Sequence, residues 1–118
     1  MEVINLAQKL TLFREYWSPR IVGELNGSYV KLAKLKGEFV WHRHDNEDEL
    51  FLVLKGRLQI KLHGDELWLG EGEFAIIPRG VGHLPIADEE VHVLLLEPQT
   101  TINTGSAGGD RTIDAGWL

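Results

Sequence analysis

The sequence predicts an all-β fold, and three observations lead to that prediction. Between Ile21 and Glu97 the chain is a series of short apolar runs separated by turn residues, the pattern of an antiparallel sandwich or barrel. Within this region Asn26-Gly27 is the strongest two-residue hairpin signal. No segment there has the length and period of a crossover helix, so a parallel sheet is not expected.

The chain of 118 residues divides into three segments. Residues 1–20 form an N-terminal segment, expected to pack on the barrel or on a partner; its apolar spacing permits a short helix capped by Asn5, or a strand. Residues 21–98 form the β-domain. Residues 99–118 are rich in small and polar residues, and we expect either a mobile tail or partial docking. Thr104 to Arg111 is a candidate lid over the mouth of the barrel, and an undocked tail is the alternative.

Two strands of the β-domain are apolar on both faces. Arg57 to His63 alternates strictly between apolar and polar residues, so one face of that strand is buried and the other meets water. In contrast, Leu50 to Leu54 and Val93 to Leu96 are apolar throughout. The N-terminal segment, another sheet or a partner chain must cover the second face of these strands. This pattern favours a homodimer.

Composition excludes several functions. With 12 basic and 18 acidic residues the net charge is −6, which argues against binding nucleic acid through its phosphates. The absence of cysteine excludes disulfides, cysteine-ligated zinc, iron–sulfur clusters and thiol catalysis. No apolar run approaches the roughly 20 residues of a membrane span, and no signal peptide is evident. We therefore expect a soluble, cytoplasmic protein without nucleic-acid or membrane partners.

Two histidines separated by one residue are the central feature. In a strand His42 and His44 would share a face with Val40, with their backbones about 6.6 Å apart. Glu49 opens the next strand, on the face that also carries Phe51. Imidazoles at this spacing can converge on one ion, although a polar strand followed by a solvated acidic turn would give the same pattern.

A third histidine follows a glycine-rich turn. A strand ends at Pro78, and His83 starts the next strand, where it is either a ligand or an ordinary loop histidine. Three histidines and one carboxylate with open positions would suit one divalent Fe, Ni, Mn, Zn or Cu ion better than Mg or Ca. His63 and His92 have no neighbours at ligand spacing, and we interpret both as surface or structural residues.

The same region contains candidates for binding a small-molecule substrate. Arg79, in the turn after Pro78, could meet an anionic group of the substrate, or it could be an exposed loop charge. Val40 and Phe51 would line the site by strand parity. An apolar lining favours a compact, partly hydrophobic ligand.

These residues resemble the two sequence motifs of the cupin superfamily. The first motif is matched by Gly37, His42, His44, Glu49 and Gly56, and the second by Gly72, Pro78, Gly80 and His83. Gly37 precedes His42 by one residue fewer than in the family, and Ala87 stands where the family has Asn. The sequence is also similar to small single-domain bacterial cupins that are often labelled mannose-6-phosphate-isomerase-like, a label that describes fold and not activity.

The resemblance implies a jelly-roll β-barrel (double-stranded β-helix) that binds a metal ion inside through His42, His44, Glu49 and His83. It also implies a homodimer. Cupins include dioxygenases, isomerases, lyases and non-catalytic binders. Among these we slightly favour a metal-dependent oxygenase acting on a small organic substrate. The alternatives are a sugar or sugar-phosphate isomerase or lyase, and a barrel that binds a small molecule without turning it over.

Overall fold

A computed structural model describes all 118 residues, and strands dominate it. The elements are α1 (Leu6–Leu10), β1 (Arg20–Leu25), β2 (Ser28–Glu38), β3 (Glu49–Lys55), β4 (Leu58–Leu62), β5 (Asp65–Leu69), β6 (Phe74–Ile77), β7 (His83–Pro98) and β8 (Gly116–Trp117). All strand pairs are antiparallel except the short β1–β8 pair. The predicted all-β, jelly-roll fold is confirmed.

The long strand β7 organises the barrel. Along one edge it pairs with β2, for example Leu32 opposite Leu94. Along its other edge the first part of β7 pairs with β4, and the second part pairs with β3. β5 extends the sheet beyond β4, and β6 extends it beyond β3. The strand β7 thus connects the two halves of the barrel, and its inward side chains form part of the core.

The core fills the barrel interior with twelve buried residues. Val53, Leu58, Ile60 and Val93 have no exposed surface, and burying such a side chain contributes about 1.5–3 kcal/mol each. Each is separated by one residue from the next inward side chain of its strand, as the two-residue period of a strand requires.

The N-terminal segment covers part of the outer face of the sheet. Asn5 caps α1 by accepting a hydrogen bond from the backbone N–H of Gln8 at 2.9 Å, in agreement with the predicted cap. Behind the helix a second cluster forms around Phe13, Val22 and Leu32, and the outward side chains of Leu54 and Leu94 pack against it. The N-terminal segment therefore covers part of the outer faces of β3 and β7, as one of the predicted alternatives requires.

The C-terminal segment also returns to the barrel. β8 pairs with β1, and the backbone N–H of Leu118 donates to the carbonyl of Ile21 at 2.9 Å. Thr104 has no exposed surface. Of the two expectations for this segment, the structure shows the docked one. None of the helices has the length and apolar character needed to cross a membrane.

Candidate metal centre

His42 and His83 are placed side by side by their backbones. The N–H of His42 donates to the carbonyl of His83 at 3.1 Å, and the N–H of His83 donates back to the carbonyl of His42 at 2.8 Å. This pair is an isolated bridge, because residues 39–44 do not form a regular strand. It brings the two ring centroids within 4.3 Å of each other.

His44 shares the inward face with His42, as the spacing predicts. Both are buried, whereas Trp41 and Arg43 between and beside them are exposed. The backbone N–H of Gly80 donates to the carbonyl of His44 at 2.8 Å. The glycine-rich turn before His83 is therefore hydrogen-bonded to the segment that carries His42 and His44.

Four side chains converge at the start of β3. Glu49 Oε1 lies 3.4 Å from His44 Nε2 and 3.3 Å from His83 Nε2. Together with His42, their potential ligand atoms all lie within 4.8 Å of one another. Neighbouring ligands bound at about 2.1 Å from an ion stand roughly 3 to 4 Å apart. The structure thus brings together the four residues predicted from the sequence, and the group could bind a metal ion.

The hydrogen bonds of the rings fit that role. Nδ1 of His42 lies 2.8 Å from the carbonyl of Val40, and Nδ1 of His83 lies 3.0 Å from the carbonyl of Val81. These bonds place a proton on Nδ1 and leave the Nε2 lone pair of each ring free for a metal. His44 Nε2, Glu49 Oε1 and His83 Nε2 are buried without a hydrogen-bond partner. Buried polar atoms without a hydrogen-bond partner destabilise the folded protein unless a ligand or an ion binds them.

Protonation favours metal binding as well. Burial, with a contribution from His83, lowers the pKa of His42 to about 4. Burial raises the pKa of Glu49, but the His44 and His83 rings outweigh it, and the net result is a pKa below the usual value. At neutral pH His42 is neutral and Glu49 is ionised, the forms in which these side chains bind metals.

A small cavity leads to this cluster. The space that the centre of a water-sized molecule can occupy is about 40 Å³. In its lining Trp17 stacks on Phe39, with ring centroids 4.7 Å apart. The walls are mostly apolar, and the lining residues are Trp17, Pro19, Ala33, Leu35, Phe39, His42, Glu49, Phe51, Pro85, Val93, Leu95, Glu97 and Asn103.

The sequence matches the Cupin_2 family (cupin domain) over residues 28–97, more than half of the chain. The chain belongs to the cupin family. A cupin-2 domain-containing protein from Shewanella frigidimarina NCIMB 400 is 46% identical with a TM-score of 0.80, over 81% of this chain and 94% of that one. NMB1881 from Neisseria meningitidis is 33% identical with a TM-score of 0.76, over 82% of this chain and 99% of that one.

Two further similarities cover less of the chain or have lower sequence identity. The uncharacterized protein YdbB of Bacillus subtilis (strain 168) is 40% identical over 63 residues, 52% of this chain, and the match spans only 56% of YdbB. Hydroquinone 1,2-dioxygenase PnpCD, in complex with Cd²⁺ and 4-hydroxybenzonitrile, has a TM-score of 0.65 at 14% identity, over 76% of this chain and 69% of that one. At that identity the likeness extends to the fold alone.

This cupin has a second buried carboxylate that the sequence analysis missed. Glu97 lines the cavity and is 3% exposed; its Oε1 accepts a hydrogen bond from Lys31 Nζ at 2.9 Å. Burial, with the nearby Glu49 carboxylate, raises the pKa of Glu97 well above its usual value. Strand parity was the available signal, because Val93, Leu95 and Glu97 point inward in turn.

The predicted substrate-binding residues have three different positions. Phe51 lines the cavity, as its parity predicts. Val40 does not line it: Phe39 continues the inward set of Ala33 and Leu35 from β2, and the alternation shifts between Phe39 and His42. Arg79 is exposed and lies outside the cavity, where its Nε is 3.6 Å from Asp48 Oδ1.

The other two histidines lie apart from the cluster. His63 is exposed and stacks on Trp41, with ring centroids 4.5 Å apart. His92 Nε2 lies 2.6 Å from Glu90 Oε2. Neither belongs to the group of potential ligands, which agrees with the interpretation of both as surface or structural residues.

Proposed function

We propose that this cupin binds one divalent transition-metal ion (Fe, Ni, Mn, Zn or Cu) and is an enzyme acting on a small organic substrate. The proposal depends on one observation: four buried ligand atoms converge at a largely apolar cavity, and three of them have no hydrogen-bond partner. Three imidazoles and one carboxylate suit these ions better than Mg or Ca.

Such an ion, when bound, supplies Lewis-acid or redox chemistry at its open coordination positions. The residues of the chain have separate tasks. The carbonyls of Val40 and Val81 orient the His42 and His83 rings through their Nδ1 atoms. The apolar walls keep water away from the substrate, which strengthens polar interactions inside the cavity.

We favour an oxygen-dependent reaction. A site of three histidines and one carboxylate in an apolar cavity suits a redox-active ion and a chelating organic substrate. The fold is compatible with such chemistry, since PnpCD is a dioxygenase. That likeness concerns the fold alone, so the preference depends on the ligand set.

A second candidate is a metal-dependent isomerase or lyase, and Glu97 favours it. Those reactions move a proton, which requires an acid–base group beside the substrate. Glu97 is a carboxyl group in the cavity that is not among the potential metal ligands.

The first experiment is elemental analysis of protein purified without chelators, combined with dissolved-oxygen measurements on a panel of small diols, diketones and keto acids. Iron, nickel or copper with substrate-dependent oxygen uptake would support an oxygenase. Zinc or manganese without uptake would favour an isomerase, a lyase or a non-catalytic binder. Failure to take up any metal under all loading conditions would contradict the proposal.

We also propose that the chain forms a homodimer through an outer apolar patch. The patch consists of Leu50, Leu52, Phe74, Ile76 and Leu96, which neighbour one another across β6, β3 and β7. Phe74 is 60% exposed and Ile76 is 53% exposed. Neither is covered by the N-terminal segment, so a second copy is the expected cover. We propose the cytoplasm as the location, because a cysteine-free chain suits a reducing compartment.

A further inference from the structure

The cavity beside the metal-binding group is too small for the substrate that the proposed function requires. The centre of a water-sized molecule can occupy about 40 Å³ in it. That is room for about three waters, since each needs roughly 10–15 Å³. Pockets that bind small organic molecules usually enclose about 300–1,000 Å³. A substrate can therefore reach the metal only if one wall of the cavity moves.

One wall residue is freer to move than the others. Among the thirteen lining residues only Trp17 and Asn103 are partly exposed, and the rest are buried. Asn103 is held at both side-chain atoms: Nδ2 donates to the carbonyl of Arg111 at 2.8 Å, and Oδ1 accepts from the N–H of Ile113 at 3.0 Å. Trp17 lies in the irregular segment between α1 and β1. It is therefore the wall that can move without disturbing the barrel.

Trp17 also lines an open groove on the outside of the barrel. This groove is formed by residues 15–18 and 110–113, and it offers about 480 Å³ on the same measure as the cavity. Trp17 is the one residue that lines both the groove and the cavity. Its side chain thus stands between the two spaces, and the groove has room to receive it.

The backbone of Trp17 is strained in this position. Its φ is 57°, in the left-handed region that a bulky residue rarely adopts. The backbone N–H donates to the carbonyl of Lys34 at 2.9 Å, and the indole N–H donates to the carbonyl of Lys36 at 2.8 Å. Strain of this kind is typical of switch regions. Turning the ring away from Phe39 breaks the indole bond and the ring stack, and it lets the backbone relax.

We propose that Trp17 is the gate of the metal centre, the side chain that must swing into the groove before a substrate can enter. In the closed position its ring shuts the cavity. In the open position the groove and the cavity form one space that leads to His42 and Glu49, the two potential ligands in the lining. This inference rests on the proposed function, because the gate matters only if a ligand has to reach a bound metal.

The test measures how fast ligands of two sizes reach the metal. Cobalt(II)-loaded protein is mixed with imidazole or benzimidazole, which bind metals through the same kind of nitrogen and differ by one fused ring. The visible absorption of cobalt follows the association in a stopped-flow instrument. The variant is Trp17→Gly, since glycine adopts a positive φ without strain. The matched control is Trp68→Ala, which removes an exposed tryptophan outside both spaces.

We expect Trp17→Gly to speed the association of benzimidazole by about tenfold or more, because an open state populated at about 10% or less slows a ligand by that factor. The gain for the smaller imidazole should be less. Trp68→Ala should match the wild type with both ligands. Benzimidazole rates that are equal in Trp17→Gly and the wild type overturn the gate, and so does an equal gain in Trp68→Ala.

A second measurement keeps Trp17 in place, in case Trp17→Gly does not fold. Zinc-loaded protein is prepared with 5-fluorotryptophan at its four tryptophans, and fluorine NMR signals are assigned with single Trp→Phe variants. Saturating benzimidazole should shift the signal of Trp17, because its ring leaves Phe39, and should leave the signal of Trp68 in place. An unmoved Trp17 signal in the ligand-bound protein overturns the gate.

The outcomes separate this inference from the proposed function. Protein that binds no divalent metal contradicts the proposed function. Metal-loaded protein that binds neither ligand contradicts both proposals, because the ion would then have no position open to a ligand. Metal-loaded protein that binds both ligands at rates independent of Trp17 contradicts only the gate.

Discussion

Gly105 lies directly against the backbone of Arg43. A β-carbon on Gly105 would overlap the Arg43 carbonyl oxygen and stand 3.0 Å from Nδ1 of His44. The next residue, Ser106, forms two hydrogen bonds to the backbone of Arg43. Its N–H donates to the Arg43 carbonyl at 2.9 Å, and its Oγ accepts from the Arg43 N–H at 3.1 Å. The C-terminal segment thus supports the backbone that carries His42 and His44.

Substituting Gly105 with Ala should weaken both the fold and the metal site. The new methyl group has to displace residues 43 and 44, and overpacking of this kind costs about 1–3 kcal/mol. We expect a lower free energy of unfolding in urea and a weaker metal affinity in competition with a chromophoric chelator. Gly108→Ala is the matched control, because Gly108 also has a positive φ of 58° but its β-carbon would meet nothing within 4 Å. Equal losses in the two variants would refute the packing argument.

Removing a ligand should remove the metal. His42→Ala or Glu49→Ala deletes one of four converging ligand atoms, so we expect less than one ion per chain after dialysis. His63→Ala, on the exposed stack with Trp41, should keep the wild-type content. Inductively coupled plasma mass spectrometry measures both. Full metal retention in His42→Ala would reject the assignment.

The metal-free protein should lose stability in mild acid. The pKa of His42 is lowered from 6.5 to about 4 in the folded protein, so between these values the unfolded chain binds a proton that the folded chain does not. The free energy of unfolding should therefore fall as the pH falls through this window, by about 3 kcal/mol in total from this group. Urea unfolding at several pH values after chelation measures the slope.

A matched pair of variants assigns that slope to one residue. His42→Asn should flatten it between pH 6.5 and 4, because the group with the lowered pKa is gone. His63→Asn, which removes an exposed histidine, should keep the wild-type slope. A slope in His42→Asn equal to that of the wild type would show that another group is responsible.

The four potential ligands were predictable because their positions depend on local rules. Alternation places His42 and His44 on one face even outside a regular strand, and the turn that ends at His83 is short. Phe39 was missed because parity was counted back from His42, which gives Val40. Phe39 is in phase with Ala33 and Leu35 of β2, and the irregular backbone between Phe39 and His42 shifts the alternation.

Two other features were not predicted from the sequence because they depend on long-range contacts: the docking of the C-terminal segment and the burial of Glu97. The docking of the C-terminal segment depends on bonds such as those of Ser106 to Arg43, between residues 63 positions apart, and composition alone resembles that of a mobile tail. Glu97 was hidden differently. It ends an apolar run and precedes Pro98, so it resembles the polar end of a strand. The parity of Val93 and Leu95 places it on the inward face, and Lys31 on the neighbouring strand is its partner there.

The outer apolar patch should make the chain dimeric in solution. Exposed Phe74 and Ile76 on the edge strand β6 present an apolar surface that favours association. We expect light scattering of purified protein at micromolar concentration to give the mass of a dimer. Phe74→Lys combined with Ile76→Lys should give a monomer, because two lysines would be buried against their copies.

The control for the dimer is Leu25→Lys. Leu25 is 59% exposed, like the patch residues, but lies at the β1–β2 hairpin. This variant should remain a dimer. A monomeric wild type would leave the outer face of β3 without the cover that we propose for it.

Lys31 and Glu97 should be coupled in stability. Lys31→Met leaves the buried Oε1 of Glu97 without its hydrogen-bond partner, and an unsatisfied buried polar group of this kind costs about 1–3 kcal/mol. Adding Glu97→Leu removes the unpaired polar group, so the double variant should recover most of the loss. Urea unfolding of the single and double variants measures the coupling energy. Losses that simply add would mean that the 2.9 Å contact contributes little, and that Lys31 does not hold Glu97 in place beside the metal centre.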